Sequence, residues 1–239
     1  MKQKILITGS EGLIGKILQD NLRKNGHELV LLDKKIGIDI LTADISSYMT
    51  GVESVIHLAG FAGPKISEQE MKENVLMTFK VIESAAKKNV LRVLYSSSIH
   101  VYNFSNIYLK GEKITATTPL KIHSNPKYYK DNEEKNVPNY SMSKILSEKL
   151  NEVYYQQYGL NILNLRFWAV TKDNKPADNP WGSETWLSHE DLTGIIKKSL
   201  EFEGLASLVC VSNNSEKFVD LKPLKRILGY MPKSNSANI

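Results

Sequence analysis

Cysteine is almost absent from this chain of 239 residues, and Cys210 is its single representative. An internal disulfide is therefore excluded, and one thiol within an apolar run fits a small buried strand residue in a reducing compartment. No apolar run reaches membrane-spanning length, and the N-terminus enters a strand pattern after one lysine pair, unlike a signal peptide. These absences predict a cytoplasmic protein that has no membrane partner.

The chain also lacks a basic block, an internal repeat and a Gly/Ser linker. Its formal net charge of +5 is spread over many lysines, whereas nucleic-acid binding surfaces concentrate their charge. The hydrophobic fraction of 41% and the charged fraction of 24% are ordinary for a globular protein. We therefore predict one domain over residues 1–239, with no nucleic-acid partner and no metal site.

Alternating strand and helix patterns predict an α/β fold with a doubly wound parallel sheet, because buried parallel strands read as apolar runs separated by amphipathic helices. The predicted strands cover residues 4–8, 28–32, 54–59, 92–97, 161–166 and 207–211. The predicted helices cover residues 13–25, 67–88, 140–158 and 189–201. Residues 168–239 are expected to contribute most of a small C-terminal substrate lobe.

Three glycines spaced G-x-x-G-x-x-G follow the first strand and open the first helix. Such glycines let a pyrophosphate approach the backbone, and the helix N-terminus supplies unpaired N–H donors. The pattern predicts a dinucleotide site. We expect its contacts at Gly9, Gly12, Leu13, Ile14 and Gly15.

Asp33 ends the second predicted strand, eighteen residues after Gly15. A carboxylate there accepts hydrogen bonds from the adenine ribose and repels a 2′-phosphate, so it favours NAD over NADP. Lys34 and Lys35 leave open the alternative that a lysine reads a phosphate. A solvated turn residue is the structural alternative for Asp33.

Two further segments are candidate cofactor contacts. Asp44 and Ile45 follow an apolar stretch, and the acid either accepts from the adenine amino group or caps the next helix. The small segment Leu58, Ala59 and Gly60 ends the third predicted strand and allows close backbone approach to the cofactor. His57 before it lies in an apolar run and is interpreted as a core histidine.

Tyr140 and Lys144 stand at i and i+4 on a predicted helix and therefore share one face. A cation beside the tyrosine, together with a nicotinamide, favours the phenolate and makes it a usable base. Ser98 closes the fourth predicted strand at the edge where α/β proteins bind ligands, and its hydroxyl can hold a substrate oxygen. We interpret these three residues as the catalytic set.

Together these motifs resemble the extended short-chain dehydrogenase/reductases, the NAD-dependent epimerase/dehydratase group. The resemblance extends to about Lys233. It implies a Rossmann-type fold, bound NAD and a catalytic set of Ser98, Tyr140 and Lys144. It adds Asn74, Ser96 and Phe167 to the cofactor site, where Tyr140 and Lys144 also take part.

The C-terminal part is similar to the uronate dehydrogenase branch of that family, in segments that begin at Thr185, Ser212 and Leu228. This resemblance implies substrate contacts at Ser98, Ile99, His100 and Trp168. The chain departs from the branch at Ile99, Ala62 and Trp181, the last standing where an arginine is expected. Loss of that arginine removes a bidentate partner for a carboxylate, so a less acidic sugar or a polyol is expected.

The leading hypothesis is an NAD-dependent oxidoreductase that acts on a small sugar-derived alcohol or ketone. One alternative is a nucleotide-sugar 4-epimerase or 4-ketoreductase with retained NAD, and another is a non-catalytic dinucleotide sensor. Only 73 residues follow Arg166, which favours a small substrate, and no carboxylate follows Ser98 as a 4,6-dehydratase would need. A homodimer is expected. The polar stretch 103–139 is either a lid or a disordered insertion, and the tail after Pro232 is expected to fray.

Overall fold

A computed structural model describes residues 2–63, 66–103, 107, 111–122, 137–178, 182–214 and 218–239. Six parallel strands form one sheet in the order β2-β1-β3-β4-β5-β6. The strands are β1 (Lys4–Thr8), β2 (Glu28–Leu32), β3 (Ser54–His57), β4 (Arg92–Ser98), β5 (Asn161–Phe167) and β6 (Leu205–Cys210).

Helices cover both faces of this sheet. They are α1 (Leu13–Lys24), α2 (Glu68–Lys87), α3 (Val137–Tyr158), α4 (Gly182–Thr185), α5 (His189–Ser199) and α6 (Lys222–Leu228). Helices α1 and α5 contact each other on one face, and α2 packs along α3 on the other. Strand β1 shows why both faces are apolar: Ile5 and Ile7 enter one core cluster, and Leu6 enters the other.

The predicted doubly wound fold is confirmed, and each predicted strand and helix is present to within a few residues. Strand β3 stops at His57, two residues earlier than predicted. After His57, Leu58 N still donates to the Thr8 carbonyl at 3.1 Å, and Ala59 N donates to the Thr8 side-chain oxygen. The short helices α4 and α6 were not predicted.

The C-terminal tail is docked, so the prediction that it frays is wrong. Lys233 N and Ser234 N donate to the two carboxylate oxygens of Asp191 at 2.7 and 3.1 Å. The same buried carboxylate accepts from Tyr230 OH and Ser212 Oγ. Four donors on one carboxylate hold the tail against α5.

The residues after 168 supply β6 and three short helices to the same sheet and core. Most of the stretch 103–139, for which a lid was considered, lies outside the described residues, and so does Trp181. Among the described residues, no helix is long and apolar enough to span a membrane.

Candidate active site

Two adjoining clefts open at the carboxyl edge of the sheet, beside the point where the strand order reverses between β1 and β3. Open α/β sheets bind ligands at such a point. The clefts have volumes of about 560 and 450 Å³. They share the residues Gly9, Gly12, Leu58, Gly60 and Phe61. An elongated ligand can therefore extend from one cleft into the other.

At two glycines of the turn after β1, the neighbouring backbone lies too close to leave space for a side chain. Gly9 has φ +68°, and a Cβ atom there would lie 2.7 Å from the backbone nitrogen of Ala59. A Cβ on Gly15 would lie 2.5 Å from the carbonyl oxygen of Ser10. Gly9 therefore lets the turn after β1 approach the backbone after β3, and Gly15 lets α1 approach the backbone of that turn.

The N-terminus of α1 faces the shared part of the clefts. Gly12 is its N-cap residue and supplies no side-chain cap, and its first turn contains no acidic residue. Leu13 and Ile14 line the larger cleft directly after this cap. The helix thus presents unsatisfied N–H groups and the positive end of its dipole, which fits a pyrophosphate.

Asp33 lies at the end of β2 and lines the smaller cleft. Its Oδ2 accepts from Glu11 N at 2.9 Å, and its Oδ1 accepts from Lys35 N at 2.8 Å. The ammonium of Lys34 pairs instead with Asp39, at 3.2 Å. The structure thus places the carboxylate in the position predicted for a ribose acceptor.

Of the two roles predicted for Asp44, the structure shows the cap, and a different acid borders the smaller cleft. Asp44 does not border either cleft but caps a 3-10 turn, accepting from Ser46 N at 3.1 Å, and Ile45 is buried in the core. The smaller cleft is lined instead by Asp39 and Ile40. The same Asp–Ile pair occurs twice within seven residues, so the pattern alone could not distinguish the two acids.

His57 is a structural residue, as its apolar surroundings indicate. Its Nδ1 lies 2.7 Å from Thr8 Oγ1, which also accepts from two backbone N–H groups. The hydroxyl therefore donates to Nδ1, and the ring carries its proton on Nε2. Burial lowers the pKa of His57 to about 3, so the ring is neutral.

Asn74 supports the clefts from behind. Its Oδ1 accepts from Phe61 N at 2.7 Å, and its Nδ2 donates to Phe61 O and to Ser143 Oγ. A Cβ on Gly60 would lie 3.0 Å from the same Oδ1. Asn74 thus connects the loop after β3 to helix α3, which agrees with an organising role.

Ser98, Tyr140 and Lys144 come together in the larger cleft. Ser98 ends β4, and its hydroxyl lies near the phenol of Tyr140 and lowers the pKa of that phenol. Lys144 lies one turn along α3, with Nζ 5.7 Å from the centroid of the Tyr140 ring. The ammonium donates to the Ser96 carbonyl at 2.7 Å, which fixes it beside the sheet edge.

Burial opposes the charged forms of both residues on α3. It raises the pKa of Tyr140, and the hydrogen bond with Ser98 acts in the opposite direction. Burial lowers the pKa of Lys144 to about 8, while the Glu148 carboxylate raises it, so the ammonium persists at neutral pH. Without a nicotinamide the phenolate of Tyr140 is therefore not favoured, and the prediction that Lys144 and a nicotinamide favour it together stays a prediction.

The far end of the larger cleft has aromatic, aliphatic and hydroxyl groups. Its lining includes Ala62, His100, Phe167, Trp168, Ala169, Val170 and Thr185. Trp168 makes an edge-to-face contact with Phe218, with ring centroids 6.0 Å apart. Ile99 also borders the cleft, but its side chain is buried in the core, so it supports the neighbouring turn rather than presenting a surface.

A buried ion pair behind the catalytic set was not predicted. Glu148 binds Arg166 through two hydrogen bonds of 2.9 and 2.6 Å, and Ser97 Oγ donates to the same carboxylate. Arg166 also donates to Tyr102. Glu148 lies four residues after Lys144, and this spacing was the only sequence signal of its place behind the site.

The fold and the site define an NAD-dependent enzyme of the short-chain dehydrogenase and epimerase type. The chain belongs to the NAD dependent epimerase/dehydratase family, whose model matches residues 5–171. The predicted family and cofactor are thereby confirmed. NAD also fits the residues present, because the uncapped N-terminus of α1 would bind its pyrophosphate and the Asp33 carboxylate in the smaller cleft would accept from its ribose.

Sugar dehydrogenases are among the similar proteins. A uronate dehydrogenase from Pseudomonas syringae pv. tomato is 27% identical over 248 residues, covering 98% of this chain and 82% of that protein. An L-arabinose 1-dehydrogenase (NAD(P)(+)) from Haloferax volcanii is 24% identical over 258 residues, covering 99% and 98%. A crystallised uronate dehydrogenase from Agrobacterium tumefaciens superposes with a TM-score of 0.82 at 21% identity, covering 99% and 86%.

Proposed function

We propose that this protein is an NAD-dependent dehydrogenase of an uncharged free sugar or polyol. The observation that carries the proposal is that Ser98, Tyr140 and Lys144 line one cleft together with the glycine turn. A sensor needs the glycine turn but not this set. The similarity to sugar dehydrogenases supports the choice of substrate class.

In the proposed mechanism, Tyr140 takes the proton of the substrate hydroxyl while Ser98 hydrogen-bonds to the same oxygen. Bound NAD supplies the hydride acceptor. Lys144 holds the nicotinamide ribose and, with the cofactor's positive charge, lowers the pKa of Tyr140 against the effect of burial. Gly9, Gly12 and the N-terminus of α1 bind the pyrophosphate.

The far end of the larger cleft supports an uncharged substrate. Among the described residues that line the whole larger cleft, Lys144 is the one lysine or arginine, and it lies beside Ser96 and Tyr140 rather than at the far end. A sugar carboxylate would therefore meet no bidentate cation among them. Trp168 offers an apolar surface for a sugar ring. We propose that residues 168–239 contribute most of this substrate side.

The test is a panel of neutral aldoses, uronates and nucleotide-linked sugars, incubated with NAD and followed by NADH absorbance at 340 nm. We expect L-arabinose, D-glucose or another neutral aldose to give NADH faster than D-glucuronate or D-galacturonate. Faster uronate oxidation would contradict the substrate class. Conversion of a UDP-sugar without free NADH would favour the epimerase, and NAD binding without any turnover would favour the sensor.

The matched control is Tyr140→Phe, which removes the proton carrier and keeps the ring. We expect turnover to fall by roughly two to four orders of magnitude, the range for loss of a general acid or base. NAD affinity, measured by calorimetry, should stay close to the wild-type value. Near-normal turnover of this variant would contradict the mechanism.

A homodimer and a cytoplasmic location complete the proposal. Large apolar side chains remain exposed on α2 and α3, namely Leu76, Phe79, Leu146 and Val153. Paired helices with such faces commonly meet a second copy about a two-fold axis. The free, buried thiol of Cys210 is compatible with a reducing compartment.

A further inference from the structure

The far end of the larger cleft is bounded by two short segments, residues 168–170 and 185–187, which together we call the substrate wall. The two segments are joined by an isolated parallel bridge. Ala169 N donates to the Thr185 carbonyl at 3.1 Å, and Leu187 N donates to the Ala169 carbonyl at 2.8 Å. Ala169 and Thr185 both line the cleft. The bridge therefore determines where these two residues stand relative to a bound substrate.

Asn214 binds the substrate wall on both sides of Thr185. Its Nδ2 donates to the carbonyls of Glu184 and Trp186, each at 3.0 Å. Asn214 and Thr185 are both only 3% exposed, so these bonds are shielded from water. The planar amide has one N–H group for each carbonyl. Because Thr185 lies between the two carbonyls, the amide fixes its backbone from both directions.

The C-terminal tail supplies the remaining hydrogen bond of the Asn214 amide. Ser236 N donates to Asn214 Oδ1 at 3.2 Å. The 3-10 turn Ser236–Asn238 also packs against helix α4, which ends at Thr185. A continuous series of contacts therefore leads from the tail through Asn214 to the substrate wall.

The tail contributes directed hydrogen bonds rather than apolar core. All of residues 233–239 are half-buried or exposed. Besides the bonds to Asp191, the Ser234 carbonyl accepts from Asn213 N at 2.9 Å, next to Asn214 in the chain. The smaller cleft, by contrast, is lined by described residues between positions 9 and 77. The tail thus acts on the substrate side of the site and not on the dinucleotide side.

We propose that Asn214 is a positioning residue through which the docked tail sets the substrate wall and thereby the affinity for the sugar. This proposal rests on the proposed dehydrogenase function. An ordered wall costs little conformational entropy when a sugar binds, whereas a loosened wall must be ordered at that moment. Tyr140 and Lys144 lie on α3, outside the wall. Loss of the tail contact should therefore raise KM for the sugar and leave kcat nearly unchanged.

The kinetic test is Ser236→Pro, which removes the N–H group that Asn214 accepts. Proline fits there, because Ser236 begins a 3-10 turn and Asn235 before it is extended, with φ −134° and ψ 127°. With NAD and the neutral aldose that the wild type oxidises fastest, we expect KM to rise roughly threefold to tenfold, the range for one lost hydrogen bond. We expect kcat and the Kd for NAD to change less than about twofold. Ser236→Ala is the matched control, since it keeps the N–H group and should behave as the wild type.

A second measurement needs no substrate. Hydrogen exchange followed by NMR reports on the N–H groups of Ala169 and Leu187, which close the bridge of the substrate wall. We expect both to exchange faster in Ser236→Pro than in Ser236→Ala, and faster still in Asn214→Ala, which removes all three bonds of the amide. The N–H groups within β1 should exchange at the wild-type rate in every variant.

The outcomes separate the contact from its role in catalysis. Unchanged exchange at Ala169 and Leu187 in Ser236→Pro would overturn the positioning contact, whatever the activity. Faster exchange with an unchanged KM would overturn its role in sugar binding. A loss of kcat or of NAD affinity as large as the change in KM would mean a general loosening of the fold and would also overturn that role. A wild type that oxidises no panel sugar would overturn the proposed function and the role in sugar binding with it, while hydrogen exchange would still confirm or overturn the contact.

Discussion

At the scale of single residues, the geometry around Asp33 favours NAD because its carboxylate is fixed in place. One oxygen accepts from Glu11 N and the other from Lys35 N. Each oxygen keeps a further lone pair, which can accept from a ribose hydroxyl. Lys34, the candidate phosphate reader, is paired with Asp39. The Asp33 carboxylate, held in place by these two hydrogen bonds, would therefore repel a 2′-phosphate.

We expect NAD to bind at least about tenfold better than NADP, which corresponds to roughly 1.4 kcal/mol. Asp33→Ala should narrow this ratio, because it removes both the acceptor and the repulsion. Isothermal calorimetry with each dinucleotide measures the ratio directly. Asp44→Ala is the matched control, since Asp44 caps a turn outside both clefts and should leave the ratio unchanged. Equal affinities in the wild type would contradict the role of Asp33.

Much of the candidate site could be predicted where local spacing determines geometry. The glycine turn and the Tyr140–Lys144 pair each lie within one strand–turn–helix or one helix, so short-range spacing places them. The acid that borders the smaller cleft after Asp33 could not be assigned in this way. Asp39 and Asp44 have the same neighbour type, and the tertiary path of the loop decides which one borders the cleft.

At the scale of elements, the ion pair of Glu148 and Arg166 connects α3 to β5. Ser97 Oγ adds a bond from β4 to the same carboxylate at 2.5 Å. The pair has side-chain exposures of 4% and 10% and is therefore nearly free of water screening. Helix α3 carries Tyr140 and Lys144, so this connection fixes their position relative to Ser98 at the end of β4.

Arg166→Met should destabilise the fold by about 3–5 kcal/mol, because it leaves the Glu148 carboxylate buried without its cation. Urea denaturation followed by circular dichroism measures the free energy of unfolding. The double variant Glu148→Leu/Arg166→Met should recover much of that loss, since no buried charge then lacks a partner. A single variant as stable as the wild type would contradict the account of the pair.

The long elements could be predicted because their apolar periodicity extends over many residues. Helices α4 and α6, with four and seven residues, are too short for such a pattern to accumulate. The docking of the C-terminal tail could not be predicted from its sequence either. Its polar sequence is typical of a frayed end, but acceptors on Asp191 and Asn214, far earlier in the chain, bind its backbone N–H groups.

At the scale of the whole molecule, α2 and α3 present one continuous apolar face. Phe79 on α2 and Tyr154 on α3 meet edge to face at 6.3 Å, which joins the two helix surfaces. Leu146 and Val153 lie seven residues apart on α3, which places them on the same side of that helix. Such a face fits the proposed two-fold dimer.

Leu146→Asp combined with Val153→Asp should convert the dimer to a monomer, because it places charges in the centre of the proposed interface. Size-exclusion chromatography with light scattering measures the molar mass. Leu91→Asp is the control, as Leu91 is 50% exposed but lies outside both helices. A monomeric wild type, or a double variant that remains dimeric, would contradict this interface.

The two clefts are lined mainly by successive parts of the amino-acid sequence. Every described residue that lines the smaller cleft precedes position 78. Ser98 and the described residues at the far end of the larger cleft follow position 95, with the exceptions of Ala62 and Gly63. An enzyme produced by recombination within the α2 coding region would therefore take its dinucleotide preference from one parent and its substrate preference mainly from the other. Chimaeras with a crossover there offer a route by which such enzymes exchange substrates while keeping their redox partner.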